Sequence, residues 1–281
     1  MDLPPSLLLP ITGDHASTTL VNSPTPDNLD IVSLPPVDTS SLLTPDAAIP
    51  TKLVVVVCQS LPFLRTAISS MKHYPPIMMV VDLFGIDDFS IANEFKILRY
   101  VFDTNNTWFL ALTLYAPTAV EELVKGHVKA QKPLQIPGCK LLRFDDTLGL
   151  FLDQYDPSFK GFIRLGIVCS KADGILLNSW EDLELSTFEA LQNAAILVQV
   201  SKASVYPIPT LARRAGPEVL DQKLMDWLDK QPTDSVIYMS FGSGGTLSAQ
   251  QVTELAWGLE LSQQRFIWVV RPPADNEAHG S

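Results

Sequence analysis

The stretch Ser235–Arg271 constrains this chain more than any other part of it, because it reads as one complete strand–turn–helix–strand unit. Ser235–Ser240 (SVIYMS) is an apolar run of strand length, and Phe241–Thr246 (FGSGGT) is a glycine-rich turn. A helix is expected from Ser248, where Ser248 as N-cap and Gln251 at the third helical position form a capping box. Val252, Leu255, Ala256 and Leu259 then recur at the spacing of one helical face. Arg265–Arg271 (RFIWVVR) supplies the second strand. Two strands joined through a helix pair in parallel by a right-handed crossover, so this segment is expected to sit in a parallel sheet.

The rest of the chain repeats the alternation. Ile77–Val81 (IMMVV) is an unbroken apolar run, expected as a strand buried on both faces, and it stops at Asp82 before Leu83-Phe84-Gly85. A helix is expected from about Asp88, with Phe89, Ala92 and Phe95 on one stripe. Further strands are read at Tyr100–Phe102 and Gly174–Asn178, and helices at Trp108–Tyr115 and Ser158–Ser170. In the Pro-rich first fifty residues one strand is expected, Asp30–Leu34 (DIVSL). Lys52–Lys72 reads as helical, with Pro62 expected to kink or restart it. The class is α/β. Pro207–Pro217, rich in proline, reads as a linker, and Val219–Asp229 as a helix burying Leu220, Leu224, Trp227 and Leu228.

Composition narrows the function classes. Hydrophobic residues make up 46% and charged residues 18% of 281 positions, enough for a substantial core. A formal net charge of −11 repels phosphate backbones and anionic lipid, which argues against nucleic-acid and membrane partners. The longest unbroken apolar run, Leu53–Cys58, is far shorter than a bilayer span. Cys58, Cys139 and Cys169 are odd in number and lack a CxxC spacing, so a reduced cytoplasmic setting without structural zinc is expected.

Glycines ahead of a helix N-terminus let backbone N–H groups approach an anion, and the helix dipole favours negative charge there. Gly242 and Ser243 are therefore candidate diphosphate contacts, and a plain tight strand-to-helix turn stays open as the alternative. A nicotinamide-type GxGxxG would need glycine at position 247, which is Leu247, so the dehydrogenase reading fails.

The words of the sequence also resemble a known family. Ser235–Pro273, VVDLFGIDDFSIANEF, LQIPGCKLLRFDDTL, KADGILLNSWEDLE and DWLDKQP are similar to plant family 1 UDP-glycosyltransferases, most of all to the hydroquinone and coniferyl alcohol branch. The resemblance implies a GT-B fold of twin Rossmann-like domains. Residues 1–207 would form the acceptor domain without its first βα unit, and residues 208–281 the linker and first βαβ unit of the donor domain.

It also implies glucose transfer from UDP-glucose to a phenolic or phenylpropanoid hydroxyl, with inversion, by a monomer that uses no metal and no further cofactor. In such enzymes an aspartate orients the histidine that takes the acceptor's proton. The aspartate carries over to Asp82, which on its own could equally be a turn acid. Phe84 falls near the acceptor mouth, and Ser243 with Gly242 falls at the UDP phosphates. The family's Gly-Met-Gly-His turn finds no match at His15, His73, His127 or His279, and its uracil-binding box finds none after Arg271. The chain is therefore expected to be truncated at both ends and inactive as written. A non-catalytic small-molecule or partner-binding remnant, or a partial gene model, stands as the alternative.

Overall fold

The computed structural model describes residues 6–10, 30–44, 49–71, 75–193, 200–208, 222–242 and 247–272. The chain divides into two compact units, Met1–Leu211 and Ala212–Ser281.

In the first unit, β3 (Met78–Asp82), β4 (Leu98–Asp103), β5 (Gly174–Leu177) and β6 (Ser204–Pro207) form a parallel sheet in that order. Asp82 lies opposite Phe102, and Asp103 opposite Leu177. β1 (Ser6–Pro10) pairs in parallel with β2 (Asp30–Leu34), Ser6 facing Asp30. No strand is expected at Ser6–Pro10 from the sequence; the short run Leu7–Leu9 supplies one beside the expected β2.

The strand at Ile77–Val81 is shifted by one residue and is not buried on both faces: Met78 is 46% and Val80 47% exposed. The reason is position. Met78 and Val80 lie on the less covered face of the sheet, where Leu98, opposite Met78 on the inner strand β4, is also 50% exposed, whereas Val101, Ile175 and Leu177 on the other face are fully buried. An apolar run specifies a strand, not its place in the sheet.

Helix α1 (Ile49–Ser70) runs through Pro62 without a restart. Val56, Ser60, Leu64 and Ile68 recur every fourth residue and are all buried, so one face anchors the turns on both sides of the proline. That packing outweighs the lost amide bond. Length and composition would let Pro50–Ser70 cross a membrane. Here Leu64 and Ile68 instead close a small core with Leu34, Ile91, Ala92 and Ile97.

The larger core lies between the sheet and α2 (Phe89–Phe95), α3 (Thr107–Tyr115), α4 (Pro157–Cys169) and α5 (Leu185–Asn193). Phe151 meets Phe159 and Phe162 edge-on there, with ring centroids 6.2 and 5.1 Å apart. A π-helix, Glu122–Lys129, carries the buried His127.

The second unit holds α6 (Gln222–Leu228), β7 (Val236–Met239), α7 (Ala249–Ser262) and β8 (Arg265–Trp268), with β7 and β8 parallel. The capping box is present in full: Ser248 Oγ accepts from Gln251 N, and Gln251 Oε1 accepts from Ser248 N. Leu259 is the buried member of the helix stripe, while Ala256 is exposed. Of the buried face expected on α6, Leu224 and Trp227 are exposed and Leu228 is half-buried, and Leu220 lies outside the described residues. Two paired strands offer a helix too little surface to cover every apolar position.

Candidate functional site

Asp82 ends β3 at the carboxyl edge of the sheet, the edge where open α/β sheets receive ligands. Its Oδ1 accepts from the backbone N–H groups of Phe84 and Gly85, each at 2.9 Å. One carboxylate oxygen thus fixes the turn, and the side chain keeps a set direction while remaining exposed. This geometry serves both readings of Asp82, turn acid and orienting carboxylate. Gly85 leaves room for this turn: a Cβ would stand 3.0 Å from that of Val81, and that side chain would have to give way. Phe84 is half-buried beside the turn.

Around Asp82 the fold assembles groups that sequence reading missed. Cys58 of α1 donates its thiol to Asp87 Oδ2 at 3.2 Å, and Arg164 Nη1 of α4 donates to the same oxygen at 3.1 Å. Arg164 Nη2 closes the ion pair on Oδ1. The guanidinium holds the Asp87 carboxyl below the usual range. Burial, followed by the bond to Asp87, pushes the Cys58 thiol up to about 11, so it is not a thiolate at neutral pH. Asp88 is raised to about 7, first by burial and then by repulsion from Asp87 and Asp82. The adjacent acids Asp87-Asp88 were a visible local signal. Cys58 and Arg164 were not, since they arrive from distant helices.

Beside this cluster, at the ends of β4 and β5, Glu184 accepts from Thr107 N at 3.0 Å and Ser179 Oγ at 2.8 Å, and also from the Thr107 hydroxyl. Asp103 is fully buried nearby in sequence. Asn106 caps α3 through Phe109 N. His127 is engaged at both ring nitrogens, Nδ1 with Lys132 O at 2.6 Å and Nε2 with Thr147 Oγ1 at 2.7 Å. The carbonyl can only accept, so Nδ1 carries a proton and donates it, while the Thr147 hydroxyl engages Nε2. A ring held this way ties the π-helix to two loops and has no free nitrogen for a substrate. His15, His73 and His279 lie outside the described residues.

In the second unit Gly242 adopts φ +74°, a left-handed conformation that glycine takes without strain. Ser243 lies outside the described residues. The structure therefore groups Asp82 with Phe84, and Gly242 belongs to the other unit. Among the described residues no group of three or more His, Cys, Asp or Glu side chains is placed to hold a metal ion.

No family model matches the chain. Individual proteins do. UDP-glycosyltransferase 72E1 of Arabidopsis thaliana is 44% identical over 265 residues, 94% of this chain and 54% of the relative. Anthocyanidin 3-O-glucosyltransferase 5 of Manihot esculenta is 46% identical over 89% of this chain and 51% of its own length. The chain is a relative of the plant UDP-glycosyltransferases.

Solved structures agree with this relationship. A UDP-glucosyltransferase from Polygonum tinctorium capable of glucosylating indoxyl, in complex with 3,4-dichloroaniline, superposes with a TM-score of 0.83 at 33% identity, covering 96% of this chain and 59% of that one. Phytolacca americana UGT2, complexed with UDP-2fluoro-glucose and pterostilbene, gives 0.81 at 32% identity, covering 95% and 59%. These plant glycosyltransferases share the GT-B fold, and the described elements of this relative follow it. The chain spans about half the length of the curated relatives it matches.

Proposed function

We propose that the chain serves UDP-glucose-dependent glucosylation of a phenolic or phenylpropanoid hydroxyl, with inversion and with Asp82 as the orienting carboxylate. The observation that carries this reading is the Asp82 turn, in which two backbone N–H groups fix a carboxylate at the ligand-facing edge of the sheet. A carboxylate so held can accept an imidazole N–H, fix the ring's orientation and favour its charged form as the acceptor's proton is taken. Support for the substrate class comes from the relatives, which include a hydroquinone glucosyltransferase of Rauvolfia serpentina at 37% identity. Phe84 lines the acceptor side, and Gly242 with Ser243 meets the UDP phosphates. The donor is UDP-glucose, with no further cofactor. Work as a cytoplasmic monomer belongs to the same proposal and accords with the net charge of −11 and the cysteine pattern.

In this reading the 281 residues alone do not turn over, because none of the four histidines matches the family's Gly-Met-Gly-His turn and His127, the one within the described residues, spends both ring nitrogens on structure. The second reading, binding of a phenolic without transfer, is favoured by the same observation. The test is to incubate the purified chain, and a hybrid in which it is flanked by the ends of a full-length relative, with labelled UDP-glucose and a panel of phenols. The expected result is no transfer by the chain, transfer by the hybrid, and a loss of at least roughly 100-fold in the hybrid on Asp82→Ala. A folded hybrid that transfers equally well with alanine at position 82 would overturn the role of Asp82.

A further inference from the structure

Asp103 is 0% exposed, at the last position of β4. It stands opposite Leu177, on the sheet face that also buries Val101, Ile175 and Leu177. Its Oδ1 accepts from Asn105 N and Asn105 Nδ2, both at 2.9 Å. Its Oδ2 is buried and, among the described residues, has no hydrogen-bond partner. A carboxylate needs donors at both oxygens or a cation nearby, and a half-satisfied one in an apolar core is strongly disfavoured.

The ionisable and polar groups around it do not supply that compensation. On α4 the buried Cys169 thiol is pushed up to about 12, first by burial and then by the Asp103 charge. Just past β5, Asn178 has its own buried Oδ1 without a partner among the described residues. Ahead of α5, Glu184 is anionic and occupied by Thr107 and Ser179. On β3, Asp82 is another acid, directed to its own turn. None of these carries a positive charge. A proton is the smallest species that relieves such a site without opening the core.

We propose that Asp103 is a buried proton-binding site, neutral in the folded protein, whose ionisation loosens the corner between β4 and α3. The corner is built on that carboxyl: the bonds from Asn105 shape the loop, and Asn106 next to it caps α3. Burial, only partly offset by the bonds from Asn105, moves the carboxyl up, in the sense the geometry requires. The folded state therefore gains from the proton at low pH and loses that gain as pH rises through the folded value.

The test uses the full chain at pH 8, above the value of about 7 for Asp88, so that Asp88 is mostly ionised. Infrared difference spectra should show the stretching band of one protonated carboxyl, and Asp103→Asn should remove it. The melting temperature of Asp103→Asn relative to the parent chain should rise steadily from pH 5 to about pH 8. If the variant does not fold, the band in the parent chain alone decides. A parent chain without the band at pH 8 overturns the proposal, as does a folded Asp103→Asn that keeps it.

Discussion

Arg164 reaches from α4 to Asp87 in the turn after β3, placing Nη1 3.1 Å from Oδ2 while Nη2 closes on the other oxygen. The pair is lopsided. The Asp87 side chain is 13% exposed and that of Arg164 57%, so the acid depends on the base more than the reverse. Arg164→Ala should destabilise the first unit by about 1–2 kcal/mol, the lower end for a charge-assisted bond that solvent partly screens. Asp87 is held below its ordinary value, so this stability is present near neutral pH and lost as pH falls. Urea unfolding at pH 7 and pH 4 checks both points. A variant as stable as the parent at pH 7 would show the pair to be ornamental.

Asp88 gives the opposite sign. Its carboxyl moves from an ordinary 3.8 up to about 7, so its contribution is complete below 3.8, declines as pH rises and is gone above about 7. Asp88→Asn should therefore leave stability near pH 4 unchanged and raise it at pH 8. Melting curves across that range test it, and a variant that loses stability at pH 8 contradicts the assignment.

Glu184 joins two strand ends by accepting from Thr107 and Ser179. Thr107 also begins α3, so the carboxylate meets a helix N-terminus as well. Glu184→Ala should cost about 2 kcal/mol, with Glu184→Gln losing less because the amide oxygen still accepts. Equal losses in the two variants would mean that the hydrogen bonds are not what Glu184 contributes.

The glycine turn at Gly242 and the start of α7 supply a helix end, which contributes only about 0.3–1 kcal/mol to an exposed anion. Millimolar affinity already needs about 4 kcal/mol. Titration of the chain with UDP by calorimetry should therefore give binding weaker than about millimolar. Micromolar binding would reveal contacts outside this turn.

The sequence by itself determined the α/β alternation, the capping box at Ser248 and Gln251, and Asp82 at the end of a strand. Each is encoded locally, by apolar periodicity, by side chains within hydrogen-bond reach along the chain, or by where an apolar run stops. Tertiary structure decided what depends on neighbours distant in sequence. It left one face of the sheet less covered and so exposed Met78, Val80 and Leu98. It carried α1 through Pro62 by packing the turns on both sides of it, and left Leu224 and Trp227 uncovered. It also brought Cys58, Arg164 and Asp88 together around the Asp82 turn, and buried Asp103. A proton's affinity for a carboxyl depends on the charges and solvent around it. Those surroundings come from helices and strands up to 77 positions apart, which no local pattern records.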